Sequence, residues 1–295
     1  MFRNKHGELR GGWSITVFLV LVYGLTQVLV SLGISVLHQL IPQFSAGEWI
    51  NLVLQIMCIT MTLLAFKIVY KRPFKTMGLI REGWLKELLT GCAFGIVSIA
   101  AVFCGLVLSK QAAVSFVGFN AENTPGIIMW LVIFISVGFS EEIMTRGYIM
   151  TALKTTRNKY IVFFTPAVVF ALLHLTNPNT SVLGLINIGL IGLLFAYMMI
   201  RTGKLWLPIG YHITWNFFQG SIFGMNVSGM ETDSIINTEF TGANWITGGA
   251  FGAEGGIVTT IVILLGFVFL RCAVKKPSAP VWTFKSDLPL VRGKR

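Results

Sequence analysis

The chain has 295 residues, of which 54% are hydrophobic and only 12% charged, with a formal net charge of +11; its mean hydropathy is +0.74. This composition excludes an ordinary soluble globular domain and places the chain among integral membrane proteins. The basic excess does not point to nucleic acid, because the cations are distributed between apolar runs in the manner of membrane topology.

Taken in chain order, the apolar runs predict helical spans near 13–41, 49–69, 88–108, 126–152, 159–176, 181–200, 205–222 and 255–273. A hydrocarbon core of about 30 Å requires roughly 20 residues at about 1.5 Å each. The first run follows basic residues, but it is too long for the h-region of a signal peptide, which runs to about 7–15 residues. The charge-free run 160–200 holds two helices, divided by the turn signal Asn177-Pro178-Asn179. The reading is an all-α, polytopic membrane protein of about eight transmembrane helices, organised as one membrane domain over 1–274 and a basic cytoplasmic tail over 275–295.

The connections carry their own signals. With the N-terminus in the cytoplasm, 22 of the 23 Lys and Arg residues fall on the inner side and only Lys110 on the outer. That asymmetry predicts an even number of spans with both termini inside. Segment 70–87 interleaves Lys71, Arg72, Lys75, Arg81 and Lys86 with Phe74, Leu79, Ile80, Trp84 and Leu85. It reads either as a short amphipathic helix on an anionic surface or as a plain inner loop. The outward loop 223–254 contains Glu231, Asp233, Glu239 and Glu254, many glycines and no Lys or Arg, and is expected to be a flexible cap. The tail is expected to be poorly ordered. Cys58, Cys92, Cys104 and Cys272 have no CxxC spacing and read as packing residues.

Against this apolar background, Glu141 and Glu142 stand side by side inside the fourth predicted span. An ionised group near the middle of a membrane helix costs a few kcal/mol on insertion scales, so such acids mark a relay, an ion path or a catalytic centre. Residues i and i+4 share a helix face, so Glu142 can reach Arg146 while Glu141 points elsewhere. The fifth span places Phe170 and His174 one turn apart, and the seventh places His212 and Asn216 likewise. At about 1.5 Å per residue, Glu141 and His174 lie roughly 20 Å from the nearest inner lysines and His212 lies shallower. Hydrolysis of a peptide bond needs a base, a holder for the attacking water and donors for the oxyanion. Glu141 can serve as the base, His174 as a ligand to the water, and His212 with Asn216 as the donors.

These motifs, Glu141-Glu142-x-x-x-Arg146, Phe170-x-x-x-His174 and His212-x-x-x-Asn216, each on its own span and in this order, resemble the signature of the CAAX-protease and bacteriocin-processing family, also called CPBP or Abi intramembrane proteases. The resemblance covers a core from about 125 to 222. It implies an eight-helix fold of the CAAX prenyl-endopeptidase type in the cell membrane. It implies Glu141 as the activating base, Glu142 and Arg146 as its support, and His174, His212 and Asn216 as the rest of the site. It also implies a membrane-associated protein or peptide substrate, in bacteria often linked to bacteriocin immunity, peptide-signal processing or surface-protein handling.

Metal use stays open at this level. Glu141, His174 and His212 match the ligand count of a catalytic zinc site, and the family is commonly labelled metallopeptidase. Yet there is no HExxH, and a glutamate-activated water accounts for the same residues without metal. Asp233 and Asp287 lie outside the spans, which excludes an aspartyl dyad, and Ser140 lacks the surroundings of a rhomboid nucleophile. Two other classes use the same residues: a proton-coupled transporter, separable by Glu141-dependent flux in proteoliposomes without cleavage, and a non-catalytic regulator or immunity protein, separable by a Glu141→Ala variant that keeps its biological effect.

Overall fold

The computed structural model describes residues 10–41 and 47–274. The tail 275–295 and the N-terminal basic residues Arg3 and Lys5 lie outside the described residues. Among the described residues, eight helices of more than two turns follow one another: α1 (Gly11–Leu40), α2 (Trp49–Tyr70), α3 (Trp84–Leu108), α4 (Thr124–Thr156), α5 (Lys159–Leu173), α6 (Val182–Thr202), α7 (Trp206–Phe217, continued by Phe218–Ile222) and α8 (Ile257–Ala273). By length and composition, α1, α2, α3, α4 and α6 are long and apolar enough to cross a membrane, whereas α5 and α8 are shorter apolar helices. The outer faces carry Leu32, Ile68, Val97, Ile128, Leu172 and Val268 in exposed positions, as suits a protein whose solvent is lipid.

Local sequence explains the helix ends. Asn158 caps α5 by accepting from the Tyr160 and Ile161 amides, and Ser181 caps α6 through Gly184 N–H. The α6 C-terminus turns off at Gly203, whose φ of 75° needs a residue without Cβ strain. Two expectations are corrected here. α5 stops at Leu173, so His174 is its C-cap residue and does not sit well inside a span reaching 176. Segment 70–87 is not a surface helix: a 3-10 turn, Phe74–Met77, buries Met77, and the following strand of chain braces α7. Leu205 N–H donates to Gly78 O at 3.0 Å and Trp206 Nε1 to Ile80 O at 2.6 Å, while Lys204 pairs with Glu87 at 2.8 Å.

α7 is central, packed between α3 and α4 with α6 against it, while α5 pairs with α6 and α8 lies on α3 and α6. The α3–α7 seam is built on glycine. A Cβ at Gly91 would run into the Leu207 carbonyl, one at Gly95 would lie 2.5 Å from Tyr211 O, and one at Gly210 would run into Leu88 O. Gly91-x-x-x-Gly95 is the small-residue spacing by which membrane helices approach backbone to backbone. Overpacking a site of this kind costs about 1–3 kcal/mol or more. Gly95→Val is therefore expected to lower the unfolding midpoint in a denaturant titration of the purified protein. Gly33→Ala, whose Cβ meets nothing within 4 Å, should leave that midpoint unchanged.

The loop 223–254 departs from the expected flexible cap. Ile236–Phe240 (β2) pairs antiparallel with Ala112–Phe116 (β1), Ala112 opposite Phe240 and Phe116 opposite Ile236, so the fold carries one short ribbon beside its helices. Val227–Met230 forms a tight turn, and 244–256 folds down against α6 and α8, where Asn187 Nδ2 donates to Glu254 O at 2.7 Å and Gly256 O at 2.9 Å.

Candidate active site

α4 does not run as a regular α-helix through the polar motif. It is α-helical to Glu142, and Ile143–Ile149 then form π-helical turns containing Arg146. Another π segment, Phe218–Ile222, follows Asn216 in α7. Such turns displace side chains from ordinary helical register and recur at functional sites.

Arg146 and Glu142 are buried completely, and Arg146 Nη1 meets Glu142 Oε1 at 2.9 Å. The guanidinium also donates to Thr145 Oγ1 at 2.7 Å and to Gly192 O at 3.0 Å, and lies over the rings of Phe170 (4.5 Å) and Phe195 (5.2 Å). Counted by sequence among the inner cations, Arg146 is therefore an interior partner of Glu142 and no loop charge. Gly192 permits this arrangement, since a Cβ there would press on Arg146 Nη2 at 3.2 Å.

His212 stands between the two acids. Its Nδ1 is 3.1 Å from Glu142 Oε1 and its Nε2 is 3.8 Å from Glu141 Oε2. The Phe195 ring stacks on it with centroids 5.3 Å apart. Glu142 Oε1 is the acceptor of the Arg146 pair, and His212 Nδ1 is the donor in its hydrogen bond to the same oxygen. His174 Nδ1 lies 2.8 Å from Phe170 O; a carbonyl can only accept, so Nδ1 carries a proton, and the tautomer this selects has its lone pair on Nε2. Phe170 thus touches three members of the constellation, its ring 4.7 Å from that of His174 and 6.1 Å from that of His212.

Glu141, His174, His212 and Asn216 all line one cavity of about 220 Å³. Glu142 and Arg146 form its buried support and do not reach the wall. Glu141 is held through its own carbonyl, which accepts from Thr145 Oγ1, while its Oε2 accepts no hydrogen bond from the described residues. Residues that sequence reasoning did not select share the wall: Gln55, which accepts from Ser140 Oγ, the buried Cys58, Asn177 and Glu254. Glu254 lies outside the spans, where burial pushes its carboxyl above the usual range and two hydrogen bonds from Ser228 pull it back.

Among the described residues no group of three or more His, Cys, Asp or Glu side chains converges tightly enough to hold a metal ion. Glu141, His174 and His212 share a cavity without forming a ligand set.

Residues 123–218, which contain every member of the constellation, match the family model described as type II CAAX prenyl endopeptidase Rce1-like. The resemblance carried by the three motifs therefore agrees with the family model over this core. Among curated proteins the chain is similar to the uncharacterized protein YyaK of Bacillus subtilis (strain 168), with 26% identity over 162 residues, covering 52% of this chain and 54% of that protein. The chain thus spans about half the length of the curated relative it matches. No solved structure matches it.

Proposed function

We propose that the protein is an intramembrane endopeptidase that hydrolyses a peptide bond of a membrane-associated protein or peptide with a water activated by Glu141. The observation that carries this reading is the division of labour between the adjacent acids: Glu142 is fully buried with its Oε1 engaged by Arg146 and His212, whereas Glu141 makes no hydrogen bond to Arg146 and lines the cavity. A base must be able to reach the proton it takes.

In this mechanism a water donates one hydrogen to Glu141 and the other to the Nε2 lone pair of His174, so that its oxygen attacks the scissile carbonyl. The developing oxyanion receives the Asn216 amide and His212 Nε2–H, the latter when the ring is doubly protonated and its Nδ1–H is spent on Glu142. Glu141 then passes its proton to the leaving amine. No step requires a metal. Eight spans with both termini in the cytoplasm, as the basic residues suggest, complete the reading.

Two measurements test it. Comparison of peptide N-termini in membranes and medium from cells with wild-type or Glu141→Gln protein should reveal bonds cut only by the former; an identical set from both overturns the proposal. On a peptide so found, His174→Ala is expected to lower kcat by about 10²-fold, the scale of one positioned proton-transfer partner, and an unchanged kcat would remove His174 from the mechanism.

A further inference from the structure

A carboxylate from the 223–254 loop is built into the roof of this cavity. Glu254 is only 7% exposed and lines the same wall as Glu141 and His174. Its Oε2 accepts from Ser228 N–H at 2.6 Å and from Ser228 Oγ at 2.8 Å. Ser228 and Gly229 are the central residues of the Val227–Met230 turn, and both have positive φ, 48° and 86°. That is the pattern of a type I′ turn, which costs a non-glycine residue such as Ser228 backbone strain. The Glu254 carboxylate supplies the two hydrogen bonds that hold the strained residue.

The turn in turn holds the end of α5. Ser228 O accepts from Asn177 Nδ2 at 3.3 Å, and Gly229 lies so close to Pro178 O that a Cβ would collide with it. Asn177 N–H donates to His174 O at 3.1 Å, and Thr180 Oγ1 reaches the same carbonyl at 3.3 Å. His174 is the C-cap residue of α5, so apart from its Nδ1–H bond back to Phe170 O its ring has no further helical turn beyond it to fix its direction. A continuous path of hydrogen bonds therefore runs from Glu254 through Ser228 and Asn177 to His174.

We propose that Glu254 is a positioning residue of the hydrolytic site, acting through the Ser228 turn to hold His174 toward the cavity. The inference rests on the proposed hydrolysis for its kinetic consequence but not for its structural one. The kinetic probe is an internally quenched peptide spanning a bond whose cleavage requires Glu141. Glu254→Ala is expected to lower kcat by about tenfold or more with KM within about twofold, because a misdirected His174 weakens the transition state more than peptide binding. Glu254→Gln keeps an acceptor oxygen for both Ser228 donors and is expected to stay within about threefold of wild type. Hydrogen exchange over 174–181 should accelerate in Glu254→Ala and not in Glu254→Gln.

Wild-type kcat in Glu254→Ala overturns the proposal, as does a Glu254→Gln variant damaged as badly as the alanine. If the alanine variant does not fold, Ser228→Ala carries the test: faster exchange over 174–181 supports the path and unchanged exchange overturns it. A wild-type protein that cuts no peptide sinks the hydrolase reading instead, and the exchange measurements still decide whether Glu254 holds the His174 turn.

Discussion

Glu141→Gln is expected to lower turnover by about 10²–10⁴-fold, the contribution of a positioned proton acceptor, while the protein folds as before. The reasoning is that glutamine keeps the shape of the side chain and removes only its ability to take a proton. Glu141 forms no ion pair with Arg146, and the hydrogen bond from Thr145 goes to its backbone carbonyl, which the substitution retains. No buried cation is therefore stranded, and the unfolding free energy should stay within about 1 kcal/mol of wild type. Cleavage of the quenched peptide and a denaturant titration measure the two effects separately. Wild-type turnover by this variant would end the case for Glu141 as the base.

Glu142→Ala is expected to behave in the opposite way, failing in stability before it fails in chemistry. Arg146 is fully buried, and Glu142 is its one carboxylate partner among the described residues. Removing one member of such a pair typically costs about 3–5 kcal/mol, because the other charge is left unpaired in a low-dielectric interior. The same substitution takes away the acceptor of His212 Nδ1, so whatever folds should also turn over slowly. The paired replacement Glu142→Met with Arg146→Met removes both charges and is expected to recover much of the lost stability but no activity. A Glu142→Ala protein as stable as wild type would show that Arg146 has other means of compensation.

Much of this arrangement was legible in the chain because membrane sequences are plain: twelve acids among 295 residues make an adjacent pair conspicuous. The i, i+4 rule anticipated Glu142 with Arg146 from spacing alone, and the ordered His and Asn motifs placed the remaining groups on their own helices. What was not legible depends on tertiary contacts. Glu254 sits in a glycine-rich polar loop and reads as solvated; only the folding of 244–256 against α6 buries it. The short stretches 112–116 and 236–240 lie far apart in the chain, so nothing local announces their pairing. The π-helical turns after Glu142 and Asn216 have no residue-type signature in the sequence. The Gly91-x-x-x-Gly95 spacing was readable in principle, but its partner, Gly210, is identified only by contact.

The glycine seam bears on how the protein should tolerate extraction. Where α3 and α7 touch main chain to main chain at Gly91, Gly95 and Gly210, no acyl tail fits between them, so replacing native lipid with a foreign amphiphile strips nothing from the joint that carries His212 and Asn216. α1 is placed differently: its outer residues, such as Leu29, Leu32 and Val36, are exposed, and it meets the bundle largely through α2 and the Met150–Thr156 end of α4. Loosening on solubilisation should fall there first, opening the wall that Tyr23 and Gln27 contribute and leaving the polar centre assembled.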